Sequence, residues 1–176
     1  MIKDHQREFN RLQVVLDAII IMASYGLSWL LMEIGLVPSK GNTLEGQYYF
    51  LALILVVPSY LLLYGIFRLY TPKRVQGRRL EFANICKANS IGLLIFTLVL
   101  YLLGKDIFWQ HFSRPMVLYF FVINIVLETV ERNAIRMTLR SMRSKGYNQK
   151  YILLIGYSRA AEGYVDRVLS NPEWGY

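Results

Sequence analysis

Residues 48–67 contain no charged side chain, and the run is about as long as the 20 helical residues a bilayer core requires. It is one of four such blocks. Residues 12–32, 85–103 and 116–127 are also strongly apolar, and basic loops separate them. Hydrophobic residues make up 55% of the 176, yet the chain has a formal net charge of +8, and the blocks carry almost none of it. Apolar blocks divided by basic loops describe a polytopic membrane protein. A basic chain could instead bind nucleic acid. That needs a basic surface interleaved with exposed aromatics, whereas the aromatics here sit inside the apolar runs, so nucleic acid is not an expected partner.

Cys86 is the single cysteine, which excludes an internal disulfide, and His5 and His111 are too scattered to draw a metal cluster. No small-residue cleavage site follows the first apolar run, so it reads as a retained span and not as a signal peptide.

The expected fold is an all-α polytopic membrane bundle of four transmembrane helices, with spans at about 12–32, 48–67, 85–103 and 115–135. Asp17 lies one to two turns inside the first span. A carboxylate there either sits at the interface or is buried against an arginine, and its place near the span's end favours the interface. Pro58 is expected to kink the second span, and Tyr48, Tyr49, Tyr64 and Tyr70 mark its ends as an aromatic belt would. Lys87, Asn89 and Ser90 weaken the start of the third. Ser113 is a candidate cap for the fourth, with Pro115 tolerated in its first turn. That fourth run is apolar apart from Asn124 until Glu128. Either Glu128 and Arg132 lie at membrane depth as an i, i+4 pair, or the span is short and thins the bilayer.

Lysine and arginine set the orientation. Lys3, Arg7 and Arg11 precede the first span, while Arg68, Lys73, Arg74, Arg78, Arg79 and Lys87 follow the second. The first loop holds only Lys40, and the third only Lys105 and Arg114. Both termini and the middle loop are therefore expected in the cytosol. After the fourth run, Arg132, Arg136, Arg140 and Arg143 recur at steps of four, four and three, on one helical face. Such a face seats a helix on anionic lipid, each arginine contributing about 1 kcal/mol. The sharper alternative is contact with the phosphate of a lipid carrier or nucleotide, which guanidinium suits.

Lys145-Gly146-Tyr147-Asn148 then breaks the helix. Residues 151–155 are continuously apolar, as in a parallel strand buried on both faces, and Gly156 turns into a helix over about 160–169. This is the first βα of an incomplete Rossmann-like α/β domain covering residues 146–176, after a membrane domain over residues 1–145. The turn offers Gly156, Ser158 and Ala161 where a dinucleotide fingerprint wants three small residues, and Tyr157 and Arg159 crowd them. A structural turn is the stronger reading of Gly156, Ser158 and Ala161, and no cofactor is expected in this chain.

These residues resemble the amino-terminal part of the bacterial polyprenyl-phosphate hexose-1-phosphate transferases, the undecaprenyl-phosphate sugar phosphotransferases of exopolysaccharide and capsule biosynthesis. Phe67-Arg68-Leu69-Tyr70 and Arg78-Arg79-Leu80-Glu81 follow the second span. Phe112-Ser113-Arg114 opens the fourth, and Arg140-Ser141-Met142-Arg143-Ser144-Lys145-Gly146-Tyr147-Asn148 leaves it. The apolar run into Gly156 and the Asn171-Pro172-Glu173-Trp174-Gly175-Tyr176 turn complete the likeness. The resemblance implies a multi-pass protein of the bacterial inner membrane, in contact with anionic lipids and open to homo-oligomerisation. It also implies an enzyme that moves sugar-1-phosphate from a UDP-sugar to polyprenyl phosphate. The family's magnesium and catalytic Asp-Glu pair belong to a carboxy-terminal domain absent from this chain, so no catalytic and no metal residue is carried over, and the chain alone is expected to be inactive. Two alternatives stay open: the anchor region of a membrane-bound nucleotide-sugar dehydratase or epimerase, and a non-enzymatic scaffold or regulator of polysaccharide assembly.

Overall fold

A computed structural model of the chain describes residues 2–36 (side chains from residue 9), 46–70, 77–103, 112–147, 153–156, 158–171 and 174. Five helices lie among them: α1 Ile2–Glu33, α2 Gly46–Ile66, α3 Arg78–Leu103, α4 Arg114–Ser144 and α5 Arg159–Leu169. The chain divides after residue 129 into two compact units, Met1–Thr129 and Val130–Tyr176.

In the first unit, Phe9–Glu33, Gly46–Ile66 and Arg78–Leu102 are long and apolar enough to cross a membrane, so this is a helical membrane protein. Their outward faces are apolar, with Ile54, Leu62, Leu94 and Leu98 all more than half exposed. The expected fourth span is not among them. Any 18-residue window over the apolar start of α4 takes in at least three of Arg114, Glu128, Glu131 and Arg132, too many charges for composition alone to mark a crossing.

α1 begins at Ile2, so the polar start and the first span form one helix. α3 begins at Arg78, seven residues before the expected span: Arg78 and Arg79 belong to its first turn, and Glu81 N–H donates to Gly77 O at 3.1 Å. α2 runs on through Pro58 as one helix. Ser113 caps α4 as expected, its hydroxyl accepting from Met116 N–H at 3.5 Å.

Three helix ends close in the same way. Leu36 N–H donates to Leu31 O, Leu69 N–H to Tyr64 O and Tyr147 N–H to Met142 O. The residue before each donor is left-handed: Gly35 at φ 80°, Gly146 at φ 86° and Arg68 at φ 54°. Glycine adopts that backbone freely, and an arginine does so at a cost of about 1–2 kcal/mol. Full burial of Leu69, the residue that follows, offsets that strain at Arg68.

Aromatic rings fill the centre of this unit. Phe120 packs edge-on against Tyr25 at 5.5 Å and against Tyr60 at 5.4 Å, and Phe112 lies 4.7 Å from Tyr49. Tyr49 and Tyr64 are therefore core residues, a correction to the aromatic belt, while Tyr48 remains exposed.

In the second unit no strand lies among the described residues, a correction to the one expected over 151–155. Residues 151–152 lie outside the described ones, and 153–155 have no regular structure, with Leu153 85% and Ile155 90% exposed. A strand exists only through its ladder, and no paired segment lies among the described residues. The Rossmann-like βα is thus reduced to its turn and helix. Gly156 takes φ 92°, and α5 starts one residue before its expected position.

Candidate functional site: a polar node shared by four helices

Beside its aromatic core, the membrane unit buries a set of polar side chains. Ser24 of α1, Tyr64 of α2, Asn89 of α3 and Asn124 of α4 each have no exposed surface. Asn124 joins the other three. Its amide nitrogen donates to the Tyr64 hydroxyl at 2.9 Å and to Asn89 Oδ1 at 2.7 Å, and its oxygen accepts from the Ser24 hydroxyl at 2.8 Å. Asn89 in turn donates to Ile85 O at 2.9 Å. An amide has two donors and one oxygen acceptor, and Asn124 uses all three types of contact on three different helices. In lipid there is no water to take over a lost bond, so such a node sets helix register as well as adding stability.

Asp17 and Glu128 lie in the same unit, both fully buried, and their carboxyl oxygens come within 4.8 Å of each other. Both are electrostatic neighbours of the Tyr64 hydroxyl. The interface reading of Asp17 is thereby corrected. Position 17 stands one turn after Gln13, and the helical period carries both side chains to the buried face of α1. Chemically, two enclosed carboxyl groups can share a proton or hold a cation between them. As metal ligands they supply few of the six or more oxygens a hard divalent ion takes.

The arginine face does not act as one surface. Arg132 is 2% exposed, with its Nε 3.9 Å from Glu131 Oε2, whereas Arg136 and Arg143 are half-buried and Arg140 is exposed. One helical period therefore carries one buried arginine, two half-buried and one exposed. Of the weak nucleotide-turn residues, Ser158 caps α5, its hydroxyl accepting from Ala161 N–H at 3.2 Å. Gly156 makes the turn, and Ala161 lies in the first turn of the helix. All three positions are explained by local backbone structure.

Nothing in the sequence marks Ser24, and Asn89 and Asn124 stand out there only as interruptions of apolar runs. That interruption was the available signal: a polar side chain inside a membrane helix needs a partner, and three on different helices can meet.

A sequence model of a CoA-binding domain matches residues 65–176, from the last turn of α2 to the end of the chain. No curated protein and no solved structure matches. Domains of this kind occur in the amino-terminal regions of sugar-phosphate transferases, and the match is compatible with such a region. With more than half of its length inside the match, the chain belongs to the CoA-binding domain family.

Proposed function

We propose that the chain is the membrane-anchoring amino-terminal region of an undecaprenyl-phosphate sugar phosphotransferase, which initiates exopolysaccharide or capsule repeat units. The observation that carries this reading is the extent of the family match. It starts at the end of a membrane helix, passes through α3 and the basic half of α4, and runs on through the Gly156 turn into α5. A membrane part is thereby joined to the opening of a soluble part, in the order the sequence resemblance requires.

In this reading α4 is the fourth span, because its charges are not offered to lipid. Glu128 and Arg132 are buried, while Tyr119, Val122, Val126 and Val130 form the exposed face. Four crossings and the lysine and arginine asymmetry put both ends on the cytosolic side of the bacterial inner membrane. The Asn124 node and the enclosed Asp17 and Glu128 hold the helices together, and a UDP-sugar has no contact with groups so fully buried. Polyprenyl phosphate, UDP-sugar and magnesium are partners of the catalytic domain. The family's description names coenzyme A; the nearest feature to a nucleotide site is the turn at Gly156, where the Ser158 hydroxyl already serves as a cap.

The test is transfer. The chain in nanodiscs with undecaprenyl phosphate, magnesium and UDP-sugars is expected to release no UMP, and the same chain joined to a phosphotransferase catalytic domain is expected to release it. Magnesium-dependent UMP release by the chain alone would overturn the anchor reading. So would cytosolic labelling of the loop around Lys105 in intact cells.

A further inference from the structure

On α4 the exposed apolar stripe does not stop where the arginines begin. Tyr119, Val122, Val126, Val130 and Met137 follow at steps of three, four, four and seven, and all are at least 42% exposed. Two further steps of four lead to Ser141 and Lys145, both exposed. The stripe thus turns from apolar to polar along one helix face. At that change lies a groove of about 610 Å³ lined by Met137, Thr138, Ser141, Met142, Lys145 and Tyr147.

We propose that this groove seats the headgroup and upper acyl chain of an anionic phospholipid. The inference rests on the reading that α4 crosses the bilayer. With a rise of about 1.5 Å per residue, a hydrocarbon core of about 30 Å entered at Pro115 ends near residue 135. Met137 then lies at the edge of the core, Thr138 in the headgroup layer about 4.5 Å beyond it, and Ser141 about 9 Å beyond it, at that layer's outer rim. The Lys145 stem can bring its ammonium back toward that rim.

The chemistry is divided to match. Met137, Met142 and Tyr147 offer 68%, 43% and 64% of their surface, an apolar wall for the chain next to the glycerol. Lys145 lines the groove, and its ammonium, which has no ion-pair partner among the described residues, supplies the charge for a phosphate. Ser141 adds a free hydroxyl, while Thr138 donates its own to Ala134 O at 3.0 Å and keeps an acceptor. The Gly146 turn holds Tyr147 against the helix end through its N–H to Met142 O at 3.0 Å, which closes the groove at that end. Arg140, also without an ion-pair partner among the described residues, lies on another face of the helix and serves as the internal control.

The experiment uses the full chain in nanodiscs of phosphatidylcholine with a minor fraction of phosphatidylglycerol, released for native mass spectrometry. Wild type is expected to retain phosphatidylglycerol above its share of the bilayer. Lys145→Gln should lower that retention about tenfold, as loss of one charged contact to the phosphate implies, and Arg140→Gln, off the groove, should change it less than twofold. Retention in proportion to bilayer content overturns the proposal, as does an equal fall in both variants, which would mean diffuse attraction. Displacement of the lipid by inorganic phosphate would also overturn it, since the site would then be one for the free anion. A separate arm introduces Arg114→Cys and Ser144→Cys, both at exposed positions, in a Cys86→Ser background and labels them with a membrane-impermeant maleimide. Labelling from the same side removes the α4 crossing and the groove with it. Labelling from opposite sides, with no lipid selectivity, removes the groove alone.

Discussion

The two units solve opposite burial problems. In Met1–Thr129, Asp17, Ser24, Asn89, Asn124 and Glu128 are fully buried beside the aromatic core, while many leucines and isoleucines lie on the outside. Among the described residues of Val130–Tyr176, little is buried beyond Arg132; α5 buries no residue at all, and Leu153, Ile155 and Leu169 are each at least 75% exposed. Both units expose apolar side chains, but for different reasons. The first faces lipid, where apolar exposure costs nothing and an unpaired polar group costs several kcal/mol. The second has helix and turn geometry of its own without a core around it. Exposed leucine is therefore no measure of instability until the solvent is known.

The contrast is tested most strongly by proteolysis. Trypsin acting on the chain in nanodiscs is expected to cut at Lys145, Arg159 and Arg167 at least about a hundredfold faster than at any site inside α1–α3, since local opening in exposed segments costs almost nothing. Equal resistance in a monomeric sample would show that the second unit is as well packed as the first. The next effect in size concerns the node. Asn124→Leu removes three hydrogen bonds and leaves Tyr64, Asn89 and Ser24 to find other partners, which should destabilise the bundle by about 2 kcal/mol in detergent unfolding. Unchanged stability would mean that the node sets register without adding stability.

A smaller effect is expected where α2 meets α3. A β-carbon at position 92 would lie 2.7 Å from Tyr60 Cζ. The ring is held between Phe120 at 5.4 Å and Tyr64 at 6.2 Å, so it cannot swing away. Gly92→Ala should cost about 1–2 kcal/mol by overpacking, whereas Gly26→Ala, which meets nothing within 4 Å, should not destabilise. Equal midpoints for the two variants would show that the α2–α3 contact gives more readily than a packed core does.

Much was legible in the residues alone. The charge-free run 48–67 and the blocks around it determined a helical membrane protein, because a polar backbone can cross lipid only as a helix or closed barrel. Ser113, Gly146 and Gly156 were readable as cap, break and turn because those roles depend on one residue's own backbone and side chain. Tertiary structure decided what depends on partners. It placed Asp17 inside and not at the interface, moved Tyr49 and Tyr64 from a belt to the core, and split the arginine face between Arg132 within and Arg140 without. It also left 153–155 without a ladder, although their apolar pattern had predicted a strand. Helical period places a side chain on a face, but only the neighbouring helices determine whether that face meets lipid, protein or water. A strand's hydrogen bonds likewise belong to another segment, so no local pattern can supply them.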